Sequence, residues 1–324
     1  MPPLDGEIAE LTRVLNNQEV SEGARWIVFY YRGLAHYVLY FSQRSVHEPG
    51  AEVTARKALA DFDATIEAHS LAPEAVAGVP AVHVFFVNAI YLAGQTSNML
   101  GDEANAYKYY RRCAVENHAA CLEITGWAMV TGKGHTTVDV DGAIAVLEKA
   151  YQHGTDFTCA APFAAWGIAE ILHFHGGSPR TVTALDWIER AHVLRTALEE
   201  RIKKTAPCKA AEVFVSEYLI RLSRGEERRE LLSRASELPM SESRRQLISY
   251  LNGDFDDATF RERASEKADK YPRAACIMYF YAWWDARARR QVKRMREYFD
   301  LLSTVDTDNC GDKLALARMG AQVR

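Results

Sequence analysis

The chain has 324 residues, of which 48% are hydrophobic, and its 39 basic and 43 acidic residues leave a net charge of -4. This length and composition allow a sizeable hydrophobic core, and the small net charge excludes recruitment of nucleic acid or an anionic membrane by the overall field of the protein. With only 19 glycines and 10 prolines, and with abundant Ala, Leu, Glu and Arg, the composition favours helix over strand.

Helical periodicity and the positions of caps and breaks predict an all-α fold, with its helices in one right-handed α/α solenoid and no strand. The candidate spans in chain order are 5–17, 21–42, 52–69, 79–100, 102–116, 119–131, 139–152, 158–174, 180–203, 207–224, 227–237, 242–251, 256–269, 272–286, 290–303 and 310–320. The alternating stretch 135–140 is too short for a strand and is assigned to a loop.

Two apolar segments, 26–41 and 81–94, are candidates for a membrane span. Both are shorter than the roughly 20 residues that a spanning helix needs, and the first contains Arg32 and His36. The start, MPPLDGEIAE, has neither the basic region nor the apolar stretch of a signal peptide, although a truncated precursor would begin in the same way. We therefore expect no membrane span, and the compartment must be argued from the cysteines.

Three consecutive segments of the chain align with one another. The stretch beginning ANAYKYYRRC is followed by DGAIAVLEKA and then by ALDWIERAHV, at offsets of 37 and 41 residues. Small residues recur in each segment at two positions seven apart, where they would let a helix approach its neighbours closely; they are Ala106 and Cys113, Ala143 and Ala150, and Ala184 and Ala191. Periods of this size predict stacked helical hairpins.

The pattern AxxYYRRC, the helix LEITGWAMVTGKG and the following VDVDGAIAVLEKA resemble Sel-one-like repeats, the longer-period branch of the tetratricopeptide (TPR) superfamily. The match covers roughly residues 104–195. FYYRGLAHYVL with ARKALADFDATIEA is similar to an ordinary TPR hairpin, and the C-terminal segment is similar to the tail of envelope-associated TPR lipoproteins. The resemblance implies one continuous solenoid with TPR-like hairpins in 1–103, Sel-one-like repeats in 104–205 and TPR-like hairpins in 206–324.

Six cysteines occur, and two of them lie in CAVENHAAC. If the chain turns at Asn117, Cys113 and Cys121 flank a helix-helix joint at disulfide distance, whereas on one continuous helix they would be about 12 Å apart. Cysteine-rich Sel-one-like proteins carry this spacing as a disulfide; the alternative is two buried free thiols. Cys276 and Cys310 are a second candidate pair, and a bond between Cys159 and Cys208 is weakly supported. A disulfide would indicate an oxidising compartment.

Sequence motifs for catalysis or metal binding are few. His173 and His175 lie two apart, so a helix would point them to different faces, and we expect them to meet the last carbonyls of that helix. Neither a metal-binding motif of the HExxH or paired CxxC type nor a nucleophile elbow occurs, and GKGHTT lacks the spacing of a phosphate loop. Aspartates before helices are expected to be N-caps; they are Asp139, Asp141, Asp254, Asp256 and Asp257. We predict no catalytic residue, cofactor or metal.

Two surfaces are candidates for partner binding. The first is a polar stripe with helical spacing, opposite Phe85, Phe86, Leu92 and Met99, which could hold the backbone of an extended peptide or be an ordinary solvated face; it consists of Asn88, Tyr91, Gln95, Asn98 and Asp102. The second combines Trp283 and Trp284 with nearby basic residues, of which Arg287 is the first. Neighbouring acidic residues argue against nucleic acid there, and a solvated face with half-buried tryptophans is the alternative.

The sequence thus predicts a non-enzymatic helical-repeat scaffold that holds a protein or peptide in a concave groove. The resemblance implies an envelope adaptor or regulator, in the periplasm or secreted; alternatives are a cytoplasmic location and an immunity protein that neutralises a secreted toxic effector. An enzyme whose repeats position a substrate is the rival from another class, and it would show a pocket in which a titratable group meets a positioned partner. The oligomeric state is not predicted, although the helix at 310–320 could pair with a second copy.

Overall fold

The computed structural model describes residues 4–17, 20–46, 48–71, 80–154, 159–175, 182–202, 210–268, 270–305 and 307–322. These ranges contain sixteen α-helices and no strand, which confirms the all-α prediction. The helices are α1 (Leu4–Asn16), α2 (Glu22–Ser45), α3 (Ala51–Leu71), α4 (Pro80–Met99), α5 (Glu103–Val115), α6 (Ala119–Thr131), α7 (Val140–His153), α8 (Ala160–His175), α9 (Ala184–Ile202), α10 (Ala210–Leu222), α11 (Glu230–Ser236), α12 (Glu242–Asn252), α13 (Asp257–Ala268), α14 (Pro272–Ala288), α15 (Val292–Thr304) and α16 (Thr307–Gln322). A 3-10 helix, Lys133–His135, follows α6. Over the described ranges, no helix is long and apolar enough to cross a membrane.

The chain forms two compact units. Unit 1 comprises residues 1–125 and 133–136, and unit 2 comprises residues 126–132 and 137–324. In unit 1, α1 packs on α2, α2 on α3, α3 on α4 and α4 on α5. This is the contact pattern of successive helical hairpins, in which the turns are short and neighbours in sequence are neighbours in space.

Close helix packing in unit 1 depends on small residues. Ala93 and Ala106 are fully buried, and a Cβ added to Gly94 would lie 2.6 Å from Cε1 of Tyr110, so α4 and α5 approach to a distance that only glycine permits there. Across α2 and α3, the guanidinium of Arg32 donates to both carboxylate oxygens of Asp61, with Nη2 to Oδ1 at 2.6 Å. The carboxylate is buried, and this two-point hydrogen bonding compensates its desolvation.

The small residues of the sequence repeat are all buried. Each has at most 7% of its surface exposed; they are Ala106, Cys113, Ala143, Ala150, Ala184 and Ala191. In unit 2, the second and third segments of the repeat lie on α7 and α9, and both of these helices pack on α8, which lies between them in sequence. The prediction that these positions serve close helix packing is confirmed.

Unit 2 has two central helices, α8 and α14. Both are apolar on nearly every side, as expected of helices enclosed by others. The helix α14 contacts α10, α12, α13, α15 and α16, and α8 contacts α7, α9, α10 and α16. Unit 2 therefore adds contacts between distant parts of the chain to the sequential ones. The helix α16, which contains the candidate segment 310–320 for pairing with a second copy, buries Leu314, Leu316 and Ala317 in this packing.

Local signals end and begin the helices as the sequence predicts. Asn117 has a positive φ of 59° between α5 and α6, so the chain turns there, and the amide of His118 donates to the carbonyl of Cys113 at 3.2 Å. Asp139 caps α7 by accepting from the amide of Gly142 at 2.9 Å, and Asp256 accepts from the amide of Thr259 at 2.9 Å. These two caps confirm the expectation for Asp139 and Asp256, whereas Asp141 and Asp257 lie inside the first turns of α7 and α13.

Candidate binding surfaces

The polar stripe predicted on α4 divides into an exposed and a half-buried part. Asn98 and Asp102 are exposed, whereas Asn88, Tyr91 and Gln95 are half-buried. The carboxylate of Asp102 is the N-cap of α5, since it accepts from the amide of Asn105 at 3.1 Å. The ring of Tyr91 lies 5.0 Å from that of His118, between centroids, and burial raises the pKa of the phenol. Tyr91 therefore contributes to packing, and Asn98 is the stripe residue with the most accessible amide.

A disulfide joins α5 and α6 beside that packing. Cys113 and Cys121 are bonded, with their Cα atoms 5.9 Å apart, as the turn at Asn117 requires. In unit 2, Cys276 and Cys310 are bonded with a Cα separation of 5.6 Å, which connects α14 to α16. Cys159 is also disulfide-bonded; Cys208, its suggested partner, lies outside the described residues.

The bridge in unit 1 has a histidine next to it that suggests metal binding. One ligand atom from each of Cys113, His118 and Cys121 lies within 4.8 Å of the others. Such a set would suit a soft divalent metal if both sulfurs were thiolates, but the sulfurs are bonded to each other and offer no thiolate. Burial lowers the pKa of His118, so its imidazole is neutral beside the disulfide. The arrangement supports a structural staple.

The tryptophans predicted to contact a partner lie in the core of unit 2. Trp283 is 1% exposed and Trp284 is fully buried, because α14 is surrounded by other helices. The indole of Trp284 donates to Nε2 of His173 at 3.1 Å. Burial, with Arg287 and Arg224 nearby, lowers the pKa of His173 to about 3 and keeps Nε2 an acceptor. Two predictions are therefore corrected. Both tryptophans lie in the core and not on a surface, and Nε2 of His173 accepts from an indole and does not meet a helix carbonyl.

Three of the basic residues that follow these tryptophans, Arg287, Arg289 and Arg294, are engaged within the protein, whereas Lys293 and Arg296 are exposed. Arg287 is half-buried, with its guanidinium carbon 5.6 Å from the centroid of the Phe174 ring. Arg289 pairs with Asp285 at 2.9 Å, and Arg294 pairs with Asp257 at 2.9 Å. The contact of Arg287 ties α14 to α8 and that of Arg294 ties α15 to α13, whereas the pair of Arg289 and Asp285 lies within α14 and its C-cap.

A buried polar cluster in unit 2 contains the groups that an active site would use. Ser216 donates to Glu170 Oε1 at 2.9 Å and accepts from the indole of Trp166 at 3.0 Å. Glu170 Oε2 accepts from Lys313 at 2.7 Å, and the hydroxyl of Tyr281 donates to Glu170 Oε1 at 3.3 Å. All these side chains are buried, so no substrate reaches them in this conformation. The cluster satisfies its own donors and acceptors and braces α8, α10, α14 and α16.

A groove between α1 and α2 is an accessible apolar surface that the sequence interpretation missed. Its volume is about 720 Å³, and its walls include Leu11, Tyr31, Leu34 and Val38. Tyr31 is 45% exposed and Val38 is 40% exposed, which is unusual for large apolar side chains in the middle of a long helix. The available signal was the run 26–41, which carries more apolar residues than one buried helix face needs.

No protein-family model matches the chain, and no curated protein matches it either.

Proposed function

We propose that this protein is a helical-repeat scaffold of the Sel-one-like type, built as a right-handed solenoid, that binds a protein or peptide partner without chemical turnover. The support is the recurrence of small residues at offsets of 37 and 41, all of them buried, together with packing of successive helices within each unit. A scaffold of this kind works through the shape and hydrogen bonding of its surface.

The single observation that carries partner binding is the groove between α1 and α2. Tyr31, Leu34 and Val38 lie at positions i, i+3 and i+7 of α2, which is the spacing that an apolar helix face needs in order to fit alongside them. Glu7 and Glu10 lie at the edge, and because Glu10 pairs with Arg13 at 2.6 Å, Glu7 carries the less compensated charge. The surface therefore fits an amphipathic helix with basic residues beside its apolar stripe.

The exposed end of the polar stripe provides a second contact in the same unit. Asn98 carries both an amide donor and an acceptor, and it can hydrogen-bond the backbone of an extended segment beyond the docked helix. Asn88 and Gln95 are less accessible and contribute less. The partner thus contacts the exposed amide of the stripe and the apolar face of α2. The tryptophans take no part, because they are buried.

The disulfides support a periplasmic or secreted location, in which an envelope adaptor or regulator would act. Two bonded pairs, one in each unit, are typical of an oxidising compartment and rare in a reducing cytosol. Peptide mapping of protein purified from its native source, with thiols blocked before lysis, tests this location. Recovery of Cys113 and Cys121 as blocked free thiols would contradict it.

The partner site is tested with Val38→Asp as the variant and Val53→Asp as its matched control. Val53 is 57% exposed on α3, so both changes put a carboxylate on an exposed helical valine, and only the first lies in the groove. We expect Val38→Asp to reduce binding of the captured partner about tenfold or more, since a charge would have to be desolvated against its apolar face. Val53→Asp should bind as the parent does.

The binding measurement is a titration with the purified partner that is first captured from the native organism. Equal affinity of the two aspartate variants would remove the groove from the partner site. Several partners of modest affinity would support an adaptor, whereas one partner bound tightly would support the immunity role.

A further inference from the structure

Unit 2 contains a cavity of about 570 Å³ at the point where α12 and α14 begin and α13 ends. Its walls combine basic and apolar side chains, a combination absent from the groove in unit 1. The basic groups are Arg244, Lys267, Lys270 and Arg273. The apolar wall is formed mainly by Pro272, Ile277 and Met278, next to the exposed ring of Tyr271.

The two arginines that line the cavity, Arg244 and Arg273, are each held in place by a carboxylate. Arg244 donates from Nε to the buried carboxylate of Glu212, and Arg273 donates from Nη1 and Nη2 to Asp312 at 2.6 and 2.9 Å. Burial alone would raise the pKa of Asp312, but these bonds from Arg273 hold that pKa at about 2, so the pair stays charged. A guanidinium has five N–H donors, and Arg244 uses only its Nε in this bond, so the donors of its terminal nitrogens remain for a ligand in the cavity that it lines.

The two lysines supply positive charge that the described residues do not neutralise. Within the described ranges, neither Lys267 nor Lys270 has a carboxylate within 4 Å. The acidic residue on the wall, Glu242, pairs with Arg245 at 3.5 Å. The charges of the described wall residues are therefore mainly positive, and the first turn of α12, whose N-cap Ser241 makes no side-chain capping bond, favours an anion as well.

We propose that this cavity binds an acidic segment of a partner protein, with carboxylates held by Arg244, Lys267 and Lys270 and an adjacent apolar side chain against Ile277 and Met278. A small inorganic anion would satisfy the charges but would leave the apolar wall in contact with water. A segment that alternates acidic and apolar residues satisfies both parts of the surface. This inference rests on the proposed scaffold function, since both require a protein ligand, but it uses different residues in the other unit.

The test is fluorescence anisotropy of the full chain with a labelled peptide that alternates Glu and Leu, and with a second peptide in which Gln replaces Glu. The variant is K267E/K270E. Its matched control is K293E/R296E, which changes the net charge of the same unit by the same amount at two exposed positions on α15. We expect K267E/K270E to weaken binding of the Glu peptide about tenfold or more, the control to stay within about twofold, and the Gln peptide to bind poorly to all three.

Three results would overturn the proposal. The first is an absence of measurable binding of the Glu peptide by the parent chain, and the second is an equal loss in the two charge-reversed variants, which would show attraction by net charge alone. The third is displacement of the peptide by inorganic phosphate at a matched ionic strength, which would assign the cavity to a small anion. If the Glu peptide does not bind the cavity but Val38→Asp still weakens binding of the captured partner, the scaffold function stands and only this site is removed.

Discussion

The ammonium nitrogen of Lys313 lies 2.7 Å from Oε2 of Glu170, although 143 residues separate the two in sequence and both side chains are buried. The same ammonium lies over the rings of Trp166, at 4.6 Å from the centroid, and Phe280, at 4.9 Å. Lys313 is on α16 and Glu170 is on α8, so a single ion pair links the last helix of unit 2 to one of its two central helices.

Lys313→Met should destabilise unit 2 strongly, because it leaves the carboxylate of Glu170 buried without its counterion. The expected loss in the free energy of unfolding is about 3–5 kcal/mol, the range for removing one partner of a buried pair. Chemical denaturation followed by tryptophan fluorescence measures it. The double variant E170Q/K313M removes both charges and should recover a large part of the loss. A double variant that loses as much as the two single changes added together would show that the pair is not coupled.

The two mapped disulfides should differ in their effect on stability. A chain-entropy estimate assigns about 2–3 kcal/mol to the short loop closed by Cys113 and Cys121, and about 3–4 kcal/mol to the longer loop closed by Cys276 and Cys310. Replacing each pair by alanine should therefore lower the free energy of unfolding more for the second pair than for the first. Denaturant titration of the two variants, under non-reducing conditions, gives the comparison. The reverse order would indicate that strain or residual unfolded-state structure dominates.

His173 should make the protein less stable as the pH falls below about 6.5. In the folded state its pKa is about 3, mainly because of burial, whereas in the unfolded state it has the ordinary value of 6.5. Between pH 3 and pH 6.5 only the unfolded chain binds this proton. The free energy of unfolding is therefore unaffected by His173 above pH 6.5. As the pH falls towards 3 it decreases by at most about 1.4 kcal/mol per pH unit. His173→Gln keeps an acceptor for Trp284 but does not titrate. The free energy of unfolding of this variant should decrease less between pH 7 and pH 5 than that of the parent. An identical decrease in the two proteins would contradict the lowered pKa of His173.

Gly94→Ala should destabilise unit 1, because the new Cβ would meet the buried ring of Tyr110 at 2.6 Å. A loss of about 1–3 kcal/mol is expected for such overpacking. The matched control is Gly6→Ala on α1, where a Cβ has nothing within 4 Å and where alanine should be neutral or stabilise the helix by up to about 1 kcal/mol. Melting temperatures of the two variants against the parent make the comparison. Equal effects would show that α4 and α5 do not depend on glycine for their approach.

The helices and their ends could be predicted from the sequence because the signals for them are local. The predicted span 119–131 has the bounds of α6, and the predicted span 102–116 differs from Glu103–Val115 by one residue at each end. Asn117 marked the joint between α5 and α6 because it is one of the few residue types that readily adopts a positive φ. The buried alanines could be identified because their spacing repeats.

The contacts between distant helices could not be predicted in the same way. Trp283 and Trp284 are adjacent on a helix and therefore point about 100° apart, so one of them would normally reach the surface. Both are buried because α8 and the five helices that contact the α14 backbone surround them, which no local pattern reveals. In the sequence, Lys313 cannot be distinguished from a solvated helix lysine, because its partner Glu170 is 143 residues away. The cavity between α12 and α14 likewise brings together charges from two stretches of the chain, 242–244 and 267–273.

The docking of α16 against α8 has a consequence for biosynthesis. While the ribosome is still translating the segment between them, Glu170 has no counterion and the apolar surface of α8 that α16 covers stays open to solvent or to chaperones. An array of independent hairpins could fold from its N terminus as it emerges, but unit 2 reaches its final packing only after residue 313 has left the exit tunnel.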